Sequence, residues 1–165
     1  MIEATTDDLL AYLADVISRA ERFGATVLPP NDAETVAWKR VGSELIMDVA
    51  IHPPVDRRSQ GAEIVLNERW HPAGTERWEL AEYGYELRDR EVGYRRALHQ
   101  HDVEHFVRTH GIAAHEHCEA TMGHPVCSHY AAERPCLGAL DGFDRLYGEW
   151  LTAMKPDCSK LRCLE

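Results

Sequence analysis

The chain has 165 residues, 44% hydrophobic and 28% charged, a size and balance that fit a single globular domain over 1–165 and exclude collagen-like and disordered classes. Eighteen basic residues against 28 acidic ones leave a formal net charge of −10, which repels phosphate backbones and argues against nonspecific nucleic-acid binding. Apolar runs such as Leu45 to Met47 fall far short of a bilayer span, so no membrane helix is expected.

The first predicted element is a helix from about Thr6 to Phe23, because Leu9, Leu13, Val16, Ala20 and Phe23 recur at helical spacing. Asp7 and Asp8 suit its first turn and Gly24 its end. Pro29, Pro30, Asn31 and Asp32 mark a turn. From there to His101 the period changes to two. Leu45, Met47, Val49 and Ile51 alternate with Ile46, Asp48, Ala50 and His52 up to Pro53 and Pro54, and 57–61 reads as a loop. Ile64, Leu66 and Trp70 share one face of the next strand, with a turn expected over His71, Pro72, Ala73 and Gly74. Trp78 and Leu80 then lie on one parity and Tyr83, Tyr85 and Leu87 on the other, which predicts a bulge at Ala81 or Glu82. A turn over Arg88 to Glu91 leads into Val92, Tyr94, Arg96 and Leu98.

Beyond the meander, Asp102 caps a short helix with Val103, Phe106 and Val107 toward the core and Gly111 at its end. A strand is expected over Ile112 to Cys118 and a loop over Thr121 to Gly138. A final helix is expected from Asp141 to Met154, burying Phe143, Leu146, Tyr147, Trp150 and Met154. The fold class is therefore α+β: an antiparallel meander of four to five strands, an N-terminal helix, a short helix before a last strand, and a C-terminal helix. Residues 155–165, with Cys158 and Cys163, read as a frayed tail. Arg88, Arg90, Arg95, Arg96 and Arg108 form a basic strip read as a solvated sheet face.

Eight of the ten histidines lie between His99 and His129, where an even spread would place about two. Imidazole and thiolate are the usual ligands of zinc, copper and iron, so this window is the candidate metal site. His99 and His101 end one strand, and His115 and His117 lie in the next. Residues i and i+2 of a strand share a face, so neighbouring strands would converge four imidazoles. Glu119 has the parity of His115 and His117 and is the candidate fourth ligand or catalytic general base. A second set, Cys118, Cys127, His129 and Cys136, has the donor types of a structural zinc site that would pin the loop. The strand set is expected to govern activity and the loop set stability. His110 is read as a helix-end charge, and His52 and His71, each before a proline, as turn residues.

Acidic residues at Glu3, Asp7 and Asp8, with no basic segment ahead of an apolar core, argue against a secretory signal, so a cytoplasmic location and reduced cysteines are expected. Five cysteines are an odd number, which favours thiols or metal ligands over a disulfide framework. Phosphate-binding glycine loops, nucleophile elbows and the HExxH zinc motif are absent from the sequence.

The stretch Tyr83-Gly84-Tyr85-Glu86-Leu87-Arg88-Asp89, continuing through Tyr94 to Asp102, resembles TumE-like proteins of bacterial toxin-antitoxin pairs. These are small meander proteins in which a Tyr-rich strand leads to one ending in an Asp and His cluster. The paired HxH strands are also similar to the metal-binding device of cupins and carbonic anhydrases, although Glu119 stands closer to its HxH than the cupin pattern places it. The expected function is a small metal-binding protein holding zinc or another transition metal, extending to a metal-dependent enzyme on a small polar substrate. The alternative is a toxin-antitoxin component or protein-binding regulatory module without catalysis.

Overall fold

The first helix begins where Thr5 and Asp8 satisfy each other: Asp8 N donates to the Thr5 hydroxyl at 3.2 Å and Thr5 N donates to Asp8 Oδ2 at 3.0 Å. The structure is a computed structural model that describes residues 2–29, 36, 38–54, 61–101, 107–108, 111, 113–124, 127, 129–132, 134–153 and 158–164. Its elements in chain order are β1 (Glu3–Thr5), α1 (Thr6–Arg22), β2 (Thr26–Leu28), β3 (Lys39–Val41), β4 (Glu44–His52), β5 (Ala62–Gly74), β6 (Arg77–Asp89), β7 (Tyr94–Gln100), β8 (Ala114–Glu119), β9 (Tyr130–Ala131), α2 (Ala139–Ala153) and a 3-10 turn at Cys158–Lys160.

The architecture is α+β, with the helices α1 and α2 on one open antiparallel sheet in the order β2-β4-β5-β6-β7-β8-β9; β1 adds to β6 and β3 to β4. The expected meander is present as β4 to β7 and the expected last strand as β8, and among the described residues β1, β2, β3 and β9 are additional. The additional ones are two or three residues long, too short for alternation to mark them.

The parity break is a bulge. Arg69 pairs with Glu82 and Trp70 with Leu80, so Ala81 is the extra residue, as its neighbours' alternation predicts. The turn expected at His71 to Gly74 is instead the end of β5, and the chain reverses at Thr75 and Glu76, where Glu76 has φ +54°. Pro72 is tolerated inside β5 because the register shifts again between Pro72 and Gly74.

Register divides the sheet into two faces. The row Val49, Leu66, Tyr85, Leu98, Glu116 and Tyr130 is buried in every member. The adjacent row, Asp48, Asn67, Gly84, His99, His115 and Ala131, lies on the opposite face. Both helices cover the first face. α1 buries Leu9, Leu13, Val16 and Ala20, and α2 buries Phe143, Leu146, Tyr147 and Trp150, as the periodicity predicts, whereas Phe23 lies at the C-cap of α1 and is 40% exposed; Met154 lies outside the described residues.

Between helices and sheet sits a polar knot. Glu68 is fully buried and accepts from Tyr85 Oη at 2.6 Å, Tyr12 Oη at 2.7 Å and Trp70 Nε1 at 2.8 Å. Burial raises its carboxyl above the usual range, against the pull of the three donors. Those bonds hold the Tyr85 ring against Gly142 of α2, where an added Cβ would stand 2.2 Å from Tyr85 Cδ2. Gly142→Ala is therefore expected to cost about 1–3 kcal/mol through forced repacking, despite alanine's better helix propensity. A thermal melt several degrees below wild type checks it.

The basic strip is divided between the faces. Arg96 is 5% exposed on the helix-covered side, bonded to Glu116 and Glu149, so it does not belong to a solvated face. Arg88 and Arg95 lie on the other side and both grip Glu86. The expected helix after Asp102 falls mostly outside the described residues. Gly111 N does donate to Val107 O at 2.8 Å with φ +68°, the geometry of a helix end, but Val107 is 38% exposed and does not face the core.

The segment expected as a frayed tail is anchored over 158–164. Cys158 is bonded to Cys118 and Cys163 to Cys127, with Cα separations of 5.6 and 6.0 Å. Residues 162–164 run beside β9: Ala131 N donates to Arg162 O at 2.9 Å and Leu164 N to His129 O at 3.0 Å.

Candidate metal centre

The face of the sheet opposite the helices gathers five imidazoles at its β7–β8–β9 side. His99 and His115 are cross-strand Cα partners. His117 is two residues along β8 on the same face, and His101 follows β7, its N donating to Ala113 O at 3.3 Å. His129 immediately precedes Tyr130, the partner of Glu116, so the β8–β9 register brings it beside His117. The ring centroids of His117 and His129 are 4.7 Å apart, those of His99 and His117 4.8 Å, and those of His101 and His115 5.4 Å.

Two sets have their ligand nitrogens within 4.8 Å of one another: His99, His101 and His115, and His115, His117 and His129. In the second set His115 Nε2 and His117 Nε2 are 3.1 Å apart. Two nitrogens bound to one tetrahedral zinc ion, each at 2.0–2.1 Å, stand about 3.3 Å apart, so this pair is already close to ligating distance. Gly84 is the Cα partner of His99 on β6, and a Cβ there would touch the ring at 3.5 Å. The glycine is a bare floor on which the His99 ring lies.

Packing has an electrostatic consequence. Burial pushes His99 down to about 3, with His117 and His101 opposing its charge further. His115 is likewise pushed to about 3 by burial, then by His117, His99, His101 and His129. Both rings are therefore neutral at pH 7, the protonation state a metal ligand needs. The sign for stability follows. The unfolded chain takes up these protons near pH 6.5, and the folded chain only near 3. Stability is thus complete above about 6.5 and falls on acidification, at no more than about 1.4 kcal/mol per pH unit for each ring. Urea midpoints of metal-free protein between pH 7 and 4 are expected to fall, and His99→Gln is expected to flatten that slope.

Glu119 shares the histidines' face, but its carboxylate is engaged: Arg95 Nη1 and Gly123 N each donate to it at 2.7 Å. Although burial pushes its pKa up, the Gly123 and Arg95 bonds hold it below the usual range, which makes it a weak base.

The sulfur set is not assembled. The disulfides with Cys158 and Cys163 remove Cys118 and Cys127 as thiolate ligands and correct the expectation of reduced cysteines. Cys136 is a buried free thiol on the helix-covered side, where its N donates to Tyr83 Oη at 2.8 Å and Arg145 Nη1 lies 3.2 Å from its sulfur. Burial pushes that thiol up to about 11. Of the four residues in that set only His129 faces the imidazoles. Sequence spacing grouped it with the cysteines because the pairing of β9 with β8 is long-range. Of the remaining window histidines, His105 and His110 lie outside the described residues and His124 is exposed, its N donating to Thr121 O at 2.9 Å; outside the window, His52 and His71 sit on β4 and β5, with His71 Nε2 3.0 Å from Glu44. Searches against protein-family models, curated proteins and solved structures return no match, so the reading of this centre rests on its own geometry.

Proposed function

We propose that this chain is a metal-binding protein whose centre is the imidazole cluster of His99, His101, His115, His117 and His129. The observation that carries the reading is the convergence of five histidines from three consecutive strand segments, with two of them at near-ligating separation. Neutral nitrogen donors without a carboxylate among them suit borderline ions, with zinc, copper and nickel ahead of calcium or magnesium. Three imidazoles leave a coordination position open, so a small polar molecule could be bound and polarised there. The engagement of Glu119 by Arg95 and Gly123 speaks for binding as the primary role and against that residue as general base.

The two disulfides support residence in an oxidising compartment, in place of the cytoplasm expected from the N-terminal residues. They also frame the centre. Cys118 follows His117 directly, and Cys127 lies two residues before His129, so both half-cystines fix backbone that carries ligands.

The test is elemental analysis and zinc titration of oxidised protein carrying no histidine tag. About one equivalent of zinc, copper or nickel, retained through dialysis and restored after chelation, is the expected result. Less than about a tenth of an equivalent, with none regained on addition, overturns the proposal.

A further inference from the structure

We infer that the five imidazoles form one centre with two overlapping positions for a single divalent ion, and that His115 is the ligand common to both. The inference rests on the metal-binding reading above and adds its stoichiometry and its pivot. The two triads are His99, His101, His115 and His115, His117, His129; in each, one nitrogen per ring lies within 4.8 Å of the others. His115 belongs to both because it is central in the register, with His99 as its cross-strand partner on β7 and Ala131, next to the His129 side, on β9. Its ring is 4.9 to 5.4 Å from the rings of the other four.

Two ions at once are disfavoured on two counts. A neutral imidazole presents one lone pair, so His115 serves one ion unless it is ionised to a bridging imidazolate, and the second ion then keeps only two protein ligands. Imidazole nitrogens carry no negative charge, and the carboxylates of Glu86 and Glu119 are already paired with Arg95, so among the described residues these acids do not offset the repulsion between two dications a few ångströms apart. The two positions also differ in access. His101 borders a cleft of about 470 Å³ lined with Glu79, Gln100 and His71. The other position includes His129, whose segment is tied down by the Cys127–Cys163 bond and by Leu164 N donating to His129 O. An ion therefore enters and leaves at the His101 side and rests at the His129 side, passing between them without leaving His115.

The experiment is zinc and copper(II) titration of the untagged, oxidised protein by calorimetry, with copper(II) electron paramagnetic resonance on the loaded sample. Wild type is expected to take up one equivalent and to give a mononuclear copper signal. His101→Ala and His129→Ala are each expected to retain one equivalent, with affinity weakened less than about tenfold, because the other triad remains. His115→Ala breaks both triads and is expected to lose more than about a hundredfold. Since His115 is buried, His115→Gln is run alongside it, with circular dichroism to verify folding. Two equivalents in wild type, a spin-coupled copper pair, abolition by His101→Ala alone or by His129→Ala alone, or wild-type affinity in a folded His115 variant each overturns this inference and leaves the metal-binding reading standing. No uptake by wild type overturns both.

Discussion

Glu116→Ala is expected to lower the melting temperature by roughly 10 °C or more. Glu116 is 1% exposed and sits on the helix-covered side of β8, between two histidines that point the other way. Its carboxylate receives Arg145 Nη2 at 3.0 Å and also pairs with Arg96, whose Nε reaches Glu149 at 3.0 Å. Removing it takes the buried carboxylate from two cations and leaves Arg96, 5% exposed, leaning on the Glu149 pair, and breaking a buried pair from one side costs about 3–5 kcal/mol. Glu116→Gln keeps one acceptor oxygen and is expected to fall between wild type and alanine. Because residue 116 faces away from the imidazoles, the folded Gln variant is expected to hold metal as wild type does. Thermal melts and a zinc titration at low temperature separate the two effects.

The second large effect is chemical. Each disulfide closes a loop across 40 or 36 residues of sequence, which in the chain-entropy model stabilises the fold by about 4 kcal/mol per bond. Replacing either bonded pair by serines is expected to lower the melting temperature by roughly 10 °C. The bonds should differ at the centre. Loss of Cys127–Cys163 releases the segment that presents His129 and is expected to weaken zinc binding, whereas loss of Cys118–Cys158 acts on the helix-covered side of β8 and is expected to leave affinity nearly unchanged. Calorimetry on Cys127→Ser/Cys163→Ser and Cys118→Ser/Cys158→Ser checks the difference; equal affinities would count against a contribution from His129. Cys127 thus serves stability, as expected from the sequence, but through a covalent bond and not as a ligand. His117→Ala is expected to weaken binding with little change in the melt.

What was legible beforehand is what local spacing controls. Alternation along β4 to β7 located the meander, and the parity switch between Leu80 and Tyr83 located the bulge at Ala81. The HxH spacing placed His99 with His101 and His115 with His117 on common faces, which the sheet then made neighbours. What was illegible depends on partners distant in sequence. Glu68 has the parity of Ile64, Leu66 and Trp70 and so lies on the buried face, but two of the donors that satisfy it there, Tyr12 and Tyr85, come from α1 and β6 and leave no local sign. His129 joins the other imidazoles only through the β8–β9 register. The disulfides are illegible locally because the partners of Cys118 and Cys127 lie beyond α2, and an odd count of five points to free thiols.

The placement of those partners also orders events during synthesis. Every strand, α2 and all five clustered histidines precede Cys158 and Cys163, so a growing chain exposes Cys118 and Cys127 as thiols well before either can pair. At about 5–20 residues per second the interval lasts seconds, and during it Cys127 stands two positions from His129 as a sulfur–nitrogen donor pair. Such a pair favours softer ions than five imidazoles do. Oxidation withdraws the sulfur and leaves an all-nitrogen cluster, so under the proposed metal-binding function the ion the chain would favour shifts from softer to borderline as the disulfide closes.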